Sequence, residues 1–341
     1  MTVHIDSLDD VRSLAESLRH LHKRTSSGTL GTTRAVTMNF VVFVDAPSVR
    51  EWVHERTLSV AEKHPSRVIF IDAASSREGA DLIPTQQQTV THTSTNERVE
   101  LSVGSLDPNN LAGLLDELRL REVPTVLWWA GKNGCDDPRF QDLRKQATRV
   151  VVDSSLSERS GNSVRSLANA LALDEHQPVF DLAYLRLDPW REMIAQFFDN
   201  DDSRQDLSSI TAVEIDSGSE AEAIYLSAWL SNLLHWSPTS HRSFRSQTGH
   251  TITFLHRLRG ELRRVLRVVL TTDGSEYHAE VSENDPSVVS LSITGVHKRA
   301  PWLVPLQSID NLSLIERAIL APAIDPVFFN TLRITAGMQG R

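Results

Sequence analysis

Cysteine is almost missing from this chain of 341 residues, which holds only Cys135. One thiol forbids an intrachain disulfide, and so an intramolecular thiol switch, and leaves too few thiolates for a structural zinc site. Aromatic residues are sparse, at 6%. No apolar run approaches the roughly 20 residues that a helix needs to cross a bilayer, so no membrane partner is expected. No repeat or low-complexity tract is present. The dinucleotide fingerprint G-x-G-x-x-G is missing. The stretch Gly28–Thr33 (GTLGTT) has no lysine before its threonines, the charge that a P-loop sets beside phosphates, and it precedes a strand instead of following one. It is read as a loop. No G-x-S-x-G elbow occurs. None of the thirteen histidines forms an H-x-x-x-H or H-E-x-x-H pair, and His20 and His22, two apart, fall on nearly opposite sides of a helix. Asp136 and Asp137 follow Cys135 directly, and two carboxylates there disfavour a thiolate. No catalytic residue, cofactor or metal ligand is assigned, and the chain is expected not to be an enzyme.

What the chain does contain is ordinary for a packed globular protein: 40% hydrophobic and 23% charged residues. The net charge of −9 argues against a nucleic-acid partner, which needs a cationic surface. One core rarely exceeds roughly 250–300 residues, so two domains are expected, at 1–203 and 204–341. An acidic amphipathic helix is expected over 7–23, with no apolar signal core, and with it a cytoplasmic address.

Strands at 35–44, 67–71, 124–129 and 149–153 alternate with helices at 47–63, from 108, from 138 and over 163–173. That alternation predicts an α/β N-terminal domain, a mostly parallel sheet flanked by helices. Residues 86–103 read as a hairpin or a pair of edge strands, with Thr95-Asn96 near the turn. From Asp188 a helix carries Trp190, Met193, Ile194, Phe197 and Phe198 on one side. The acidic run 199–203 reads as a linker or an exposed loop. Beyond it come a strand at 210–215, a helix over 220–236, β-rich segments at 242–258, 262–271, 276–283 and 288–296, and helices at 308–320 and 326–336. This second domain is expected to be α+β with a mainly antiparallel sheet.

Two features point to contacts. Arg257, Arg259, Arg263, Arg264 and Arg267, with Arg242 and Arg245 upstream, form an arginine-rich sheet. That pattern suits an acidic or phosphate-bearing partner, and more readily a solvated face that discourages edge pairing. Tyr225, Trp229 and Trp236 stack on one helix face, either between two layers or awaiting a partner. Trp128 and Trp129 point to opposite faces of their strand, so one is expected in the core and the other is free to anchor an interface.

Four stretches are similar to one family: His64-Pro65-Ser66-Arg67 leading into VIFID, VPTVLWWAG at 123–131, DLAYLRLDPWREMIAQFFD at 181–199, and YLSAWLSNLLHW at 225–236. Together they resemble the OpcA family, the glucose-6-phosphate dehydrogenase assembly proteins. The resemblance implies a partner, glucose-6-phosphate dehydrogenase, and a role in promoting its active oligomer rather than catalysis. The interface candidates are then Arg67, Trp128, Trp129, Arg186, Trp190 and Arg191, with Arg257 and Arg259 from the sheet. An enzyme or sensor for sugar phosphates or nucleotides is the alternative. Self-association is left open.

Overall fold

The computed structural model describes residues 2–3, 36–74, 79–88, 93–103, 108–157, 159–171, 177–240, 242–260, 264–307, 310–321 and 325–338. The helix expected at 7–23, the loop at 28–33, His20, His22 and Arg263 lie outside them. The chain divides into two compact units. The first takes Met1–Leu156, Gln177–Phe180 and Ile315–Ala321; the second takes Ser157–His176, Asp181–Leu314 and Pro322–Arg341.

The first unit is built on strands that are apolar on both faces. β2 (Met38–Val44), β3 (Ser66–Asp72) and β6 (Thr125–Ala130) are buried at every position. Such runs form only where helices cover both sides of a parallel sheet. The sheet also contains β1 (Thr2–Val3), β4 (Gly79–Gln88), β5 (Thr93–Ser102), β7 (Arg149–Val152) and β8 (Val179–Asp181), in the order β1-β4-β5-β3-β2-β6-β7-β8. Pairing is parallel from β5 through β7, and β4 is antiparallel to β5. The helix Pro47–Lys63 starts on a proline, whose missing N–H is not needed in a first turn, and buries Val49, Val53, Thr57 and Val60. The β4–β5 turn differs from the expected one. Thr95 and Asn96 pair with Gln86 and Thr85 inside the ladder and are not at a turn. Polar residues carry the ladder past the point where alternation alone would end it.

The second unit is a mixed sheet under helices. Its strands are β9 (Ala212–Ser217), β10 (Ser237–Ser240), β11 (Ser243–Arg245), β12 (Thr251–Leu258), β13 (Val265–Thr271), β14 (Ser275–Val281), β15 (Val288–Gly295) and β16 (Arg299–Pro305), in the order β10-β11-β12-β9-β13-β14-β15-β16. Only the β9–β12 pair is parallel, so the sheet is mainly antiparallel as expected. Val213, Ile215, Phe254, Leu270, Tyr277 and Leu291 point to the buried face. Phe197 and Phe198, at the end of the helix Asp188–Gln196, pack their rings on Tyr277.

That contact explains why 181–203 belongs with the second unit instead of closing the first, as a single cut after 203 would have it. The run 199–203 is no linker either. Asn200 accepts the Ser203 N–H at 2.9 Å and caps a short helix, Asp201–Gln205. The helix from Glu220 ends at Leu233, and His235 turns the chain with φ of 55°. Trp236 therefore leaves the helix and packs on Phe254. β10 and β16 were not expected as separate strands. Both are edge strands carrying proline, which blurs a strand pattern but is tolerated at an edge.

Trp128 and Trp129 do point to opposite faces of β6, but both are buried. The first stacks on Phe40 with Trp52 at its edge; the second lies 4.0 Å above Phe43, with Phe140 at its edge. A central strand covered on both sides offers neither indole to a partner. Gly131 completes this packing, because a Cβ there would come within 2.7 Å of the Trp129 ring. Gly131→Ala is therefore expected to destabilise the chain by about 1–3 kcal/mol, the usual cost of overpacking, read as a lower urea midpoint.

Candidate functional site

Of the eight contact candidates, Arg67, Trp128, Trp129 and Trp190 are buried, and Arg186 and Arg191 are half-buried. Asp181 caps the turn Leu182–Leu185 by accepting the Ala183 N–H at 2.9 Å, and its other oxygen accepts the Tyr225 hydroxyl at 2.7 Å. Arg186 pairs with the buried Glu222 at 2.8 Å. Arg191 pairs with Asp188 and lays its guanidinium 4.0 Å from the centre of the Tyr184 ring. Burial pushes the Tyr184 phenol above its ordinary pKa, while the Arg191 charge pulls it down. Tyr184, Tyr225 and Phe328 pack ring against ring. Trp190 is buried on the same segment. In the first unit Arg67 is buried and donates to the Leu118 carbonyl at 2.8 Å. Arg67, Arg186, Trp190 and Arg191 hold the fold together.

Ligands of an open parallel sheet gather beyond the carboxyl ends of the strands, where the strand order reverses. Here that point lies between β2 and β6. Asp45 follows β2 and accepts the Lys132 N–H at 2.7 Å and the Asn133 side-chain amide at 3.1 Å. Arg139 grips Asp137 through hydrogen bonds of 2.6, 2.9 and 3.2 Å and lies 3.8 Å from Asp45. The bond to Asp137 holds the Arg139 pKa above its ordinary value. At the end of β3, Asp72 takes a 2.6 Å hydrogen bond from Arg50. A pyrophosphate at this helix start would meet a carboxylate where a nucleotide site offers bare N–H groups.

The remaining candidates, Arg257 and Arg259, are exposed on the open face of the second sheet. Arg257 reaches Glu214 at 3.2 Å, and Arg259 reaches the buried Asp216 at 3.3 Å. Arg267 approaches both acids, at 3.4 and 3.9 Å. Each of these arginines has a carboxylate beside it, which weakens the reading as a free anion-binding surface. Glu214 and Asp216 were missed from the sequence. The spacing was visible, acids two apart on one strand and arginines two apart on another, but only the strand register pairs them. Burial lowers the pKa of His256, at the end of β12, whose ring nitrogen meets the Ser217 hydroxyl at 2.9 Å. That hydroxyl donates to the Ser219 carbonyl at 2.6 Å, so it is not aimed as a nucleophile.

Comparison with known proteins gives two family matches in order along the chain. Residues 57–169 match the glucose-6-phosphate dehydrogenase subunit N-terminal domain, and residues 177–332 match the corresponding C-terminal domain. The chain belongs to the OpcA family. The "putative OxPP cycle protein OpcA" of Synechocystis is 29% identical over 133 residues, 38% of this chain and 28% of that protein. Its namesake from Nostoc punctiforme is 25% identical over 214 residues, 60% of this chain and 45% of that protein. The chain thus matches less than half the length of these curated relatives. Among solved structures, the open form of KijD10, a 3-ketoreductase from Actinomadura kijaniata, has a TM-score of 0.50 at 10% identity, over 88% of this chain and 95% of that one. That likeness is one of fold alone.

Within this OpcA-family chain the Asp181–Arg191 segment is a device for folding. Its charges meet Tyr225 and Glu222 on the helix Glu220–Leu233, so two of the four family-like stretches clasp each other. Removing the guanidinium from a buried carboxylate usually costs about 3–5 kcal/mol. Arg186→Ala is expected to lose stability on that scale. Tyr225→Phe, which takes one donor from Asp181, should lose about 1–3 kcal/mol. Chemical denaturation of both variants measures this. Wild-type stability in either would remove its pair from the fold's support.

Proposed function

We propose that this chain is a non-enzymatic assembly factor that binds glucose-6-phosphate dehydrogenase and favours its active oligomer, in the cytoplasm, as part of the oxidative pentose phosphate pathway. One observation carries the reading: both family models matched, in order, over most of the chain, describe domains of a glucose-6-phosphate dehydrogenase subunit. The relatives' names, which speak of an OxPP cycle protein, support it. The carboxylate at the strand ends of the first unit agrees with a role that needs no bound nucleotide.

The mechanism is a shift of population. A binding protein favours one state of its partner only by the difference in its affinity for the two states. A tenfold shift takes about 1.4 kcal/mol, within reach of one desolvated arginine or aromatic contact.

The test is size-exclusion chromatography with light scattering of the chain, the dehydrogenase and their mixture, with activity read across the peaks. A new, heavier peak of raised specific activity is expected. Unchanged dehydrogenase mass and kinetics at saturating chain, or turnover of a sugar phosphate by the chain alone, would overturn the reading.

A further inference from the structure

The open face of the second sheet carries its charges in an ordered row. Strand register sets Arg257 beside Asp216, Asp216 beside Arg267, and Arg267 beside Glu280. Across β12, β9, β13 and β14 the row therefore reads plus, minus, plus, minus. Read from the other end it is minus, plus, minus, plus, its own electrostatic complement. The outer members are the exposed ones: the Arg257 side chain is 41% accessible and Glu280 60%, against 22% for Arg267 and 1% for Asp216.

The neighbouring rows keep the polarity. Arg259 extends the basic flank on the β12 side, and Glu276 extends the acidic flank on β14, facing outward with His278 at 3.2 Å. Basic and acidic flanks stand three strand spacings apart, about 14 Å. The eight strands average about six residues and make a face of roughly 34 by 20 Å, or roughly 700 Å², within the range that each partner gives to a stable interface.

We propose that this face takes a second copy of the chain, in a two-fold dimer whose axis runs along the strands between β9 and β13. That axis lays β12 of one copy over β14 of the other and keeps each row at its own height. Arg257 then meets Glu280 of the second copy, and that meeting occurs twice, while Asp216 stays covered beneath the arginines of its own chain. The other in-plane axis, across the strands, lays β12 over β12 and sets like charge on like, which opposes association. A polyanionic partner is disfavoured, because it would also face the carboxylates of Glu214, Glu276 and Glu280 on the same surface. An isologous interface is the commonest closed assembly, and it needs the self-complementarity that this row has. The proposal does not depend on any role toward a dehydrogenase.

Light scattering of the purified full chain at tens of micromolar, in low salt, should give twice the chain mass, and raised salt should weaken the dimer. Glu280→Arg places a second cation under Arg257 twice per dimer and should weaken association by about tenfold or more. Its melting curve in dilute solution should stay close to wild type, because Glu280 is exposed. Arg257→Glu should separate the copies likewise. An equal mixture of the two variants should dimerise again, since the introduced arginine of one copy meets the introduced glutamate of the other and the native pair forms on the far side. A wild type that stays monomeric, or a dimer indifferent to Glu280→Arg, would overturn the proposal.

Discussion

A carboxylate taken out of water must be met by donors already in place, and that constraint orders this protein. Asp181, Glu222, Asp72 and Asp216 are all buried. Three accept a hydrogen bond from a named group, the Tyr225 hydroxyl, Arg186 and Arg50, and Asp216 is matched in charge by Arg259 and Arg267 at 3.3 and 3.9 Å. Leaving a buried charge unmatched costs several kcal/mol, a large part of a domain's whole stability. The partners are therefore set by the fold, and the fold by the partners. The most distinctive stretch, from Asp181 to Arg191, is distinctive for this reason. Its aspartates and arginines sit where the helix Glu220–Leu233 and its own first turns leave carboxylates and donors to be matched.

The same constraint says which residues are available for contact. Trp128, Trp129, Trp190, Arg67, Arg186 and Arg191 look like interface residues when read as a list, because tryptophan and arginine are enriched at interfaces. Enrichment describes residues already at a surface. It does not tell a buried indole from an exposed one. In β6 the double tryptophan has a stacked ring on each side, so its two faces are two halves of the interior. Arg257 and Arg259 differ because they stand on the outer face of a sheet whose inner face is already filled.

The layout of the fold was legible wherever burial acts on both sides of an element or along one stripe of it. The parallel strands showed as unbroken apolar runs, the helix 47–63 as a proline start with valines at helical spacing, and the segment after Asp188 as a one-sided stripe. What was not legible depended on partners distant in sequence. The ladder through Thr95 and Asn96 exists because β4 is there to pair with it. The short helix at Asp201 rests on a single cap. Trp236 looked helical until the backbone at His235 turned it away. At the candidate site the arginines were visible one by one, but their pairing with Glu214 and Asp216 needs the register of β12 and β13 on β9, which no local pattern encodes.

On the proposed reading this molecule acts through its surface, and its interior serves to hold that surface in one shape. Hydrogen exchange of the chain, titrated with purified glucose-6-phosphate dehydrogenase, measures that directly. The account predicts slowed exchange at a defined set of exposed amides, saturating at a fixed stoichiometry, with the already protected β2, β3 and β6 unchanged. Exchange that stays the same at every amide under saturating dehydrogenase would contradict it.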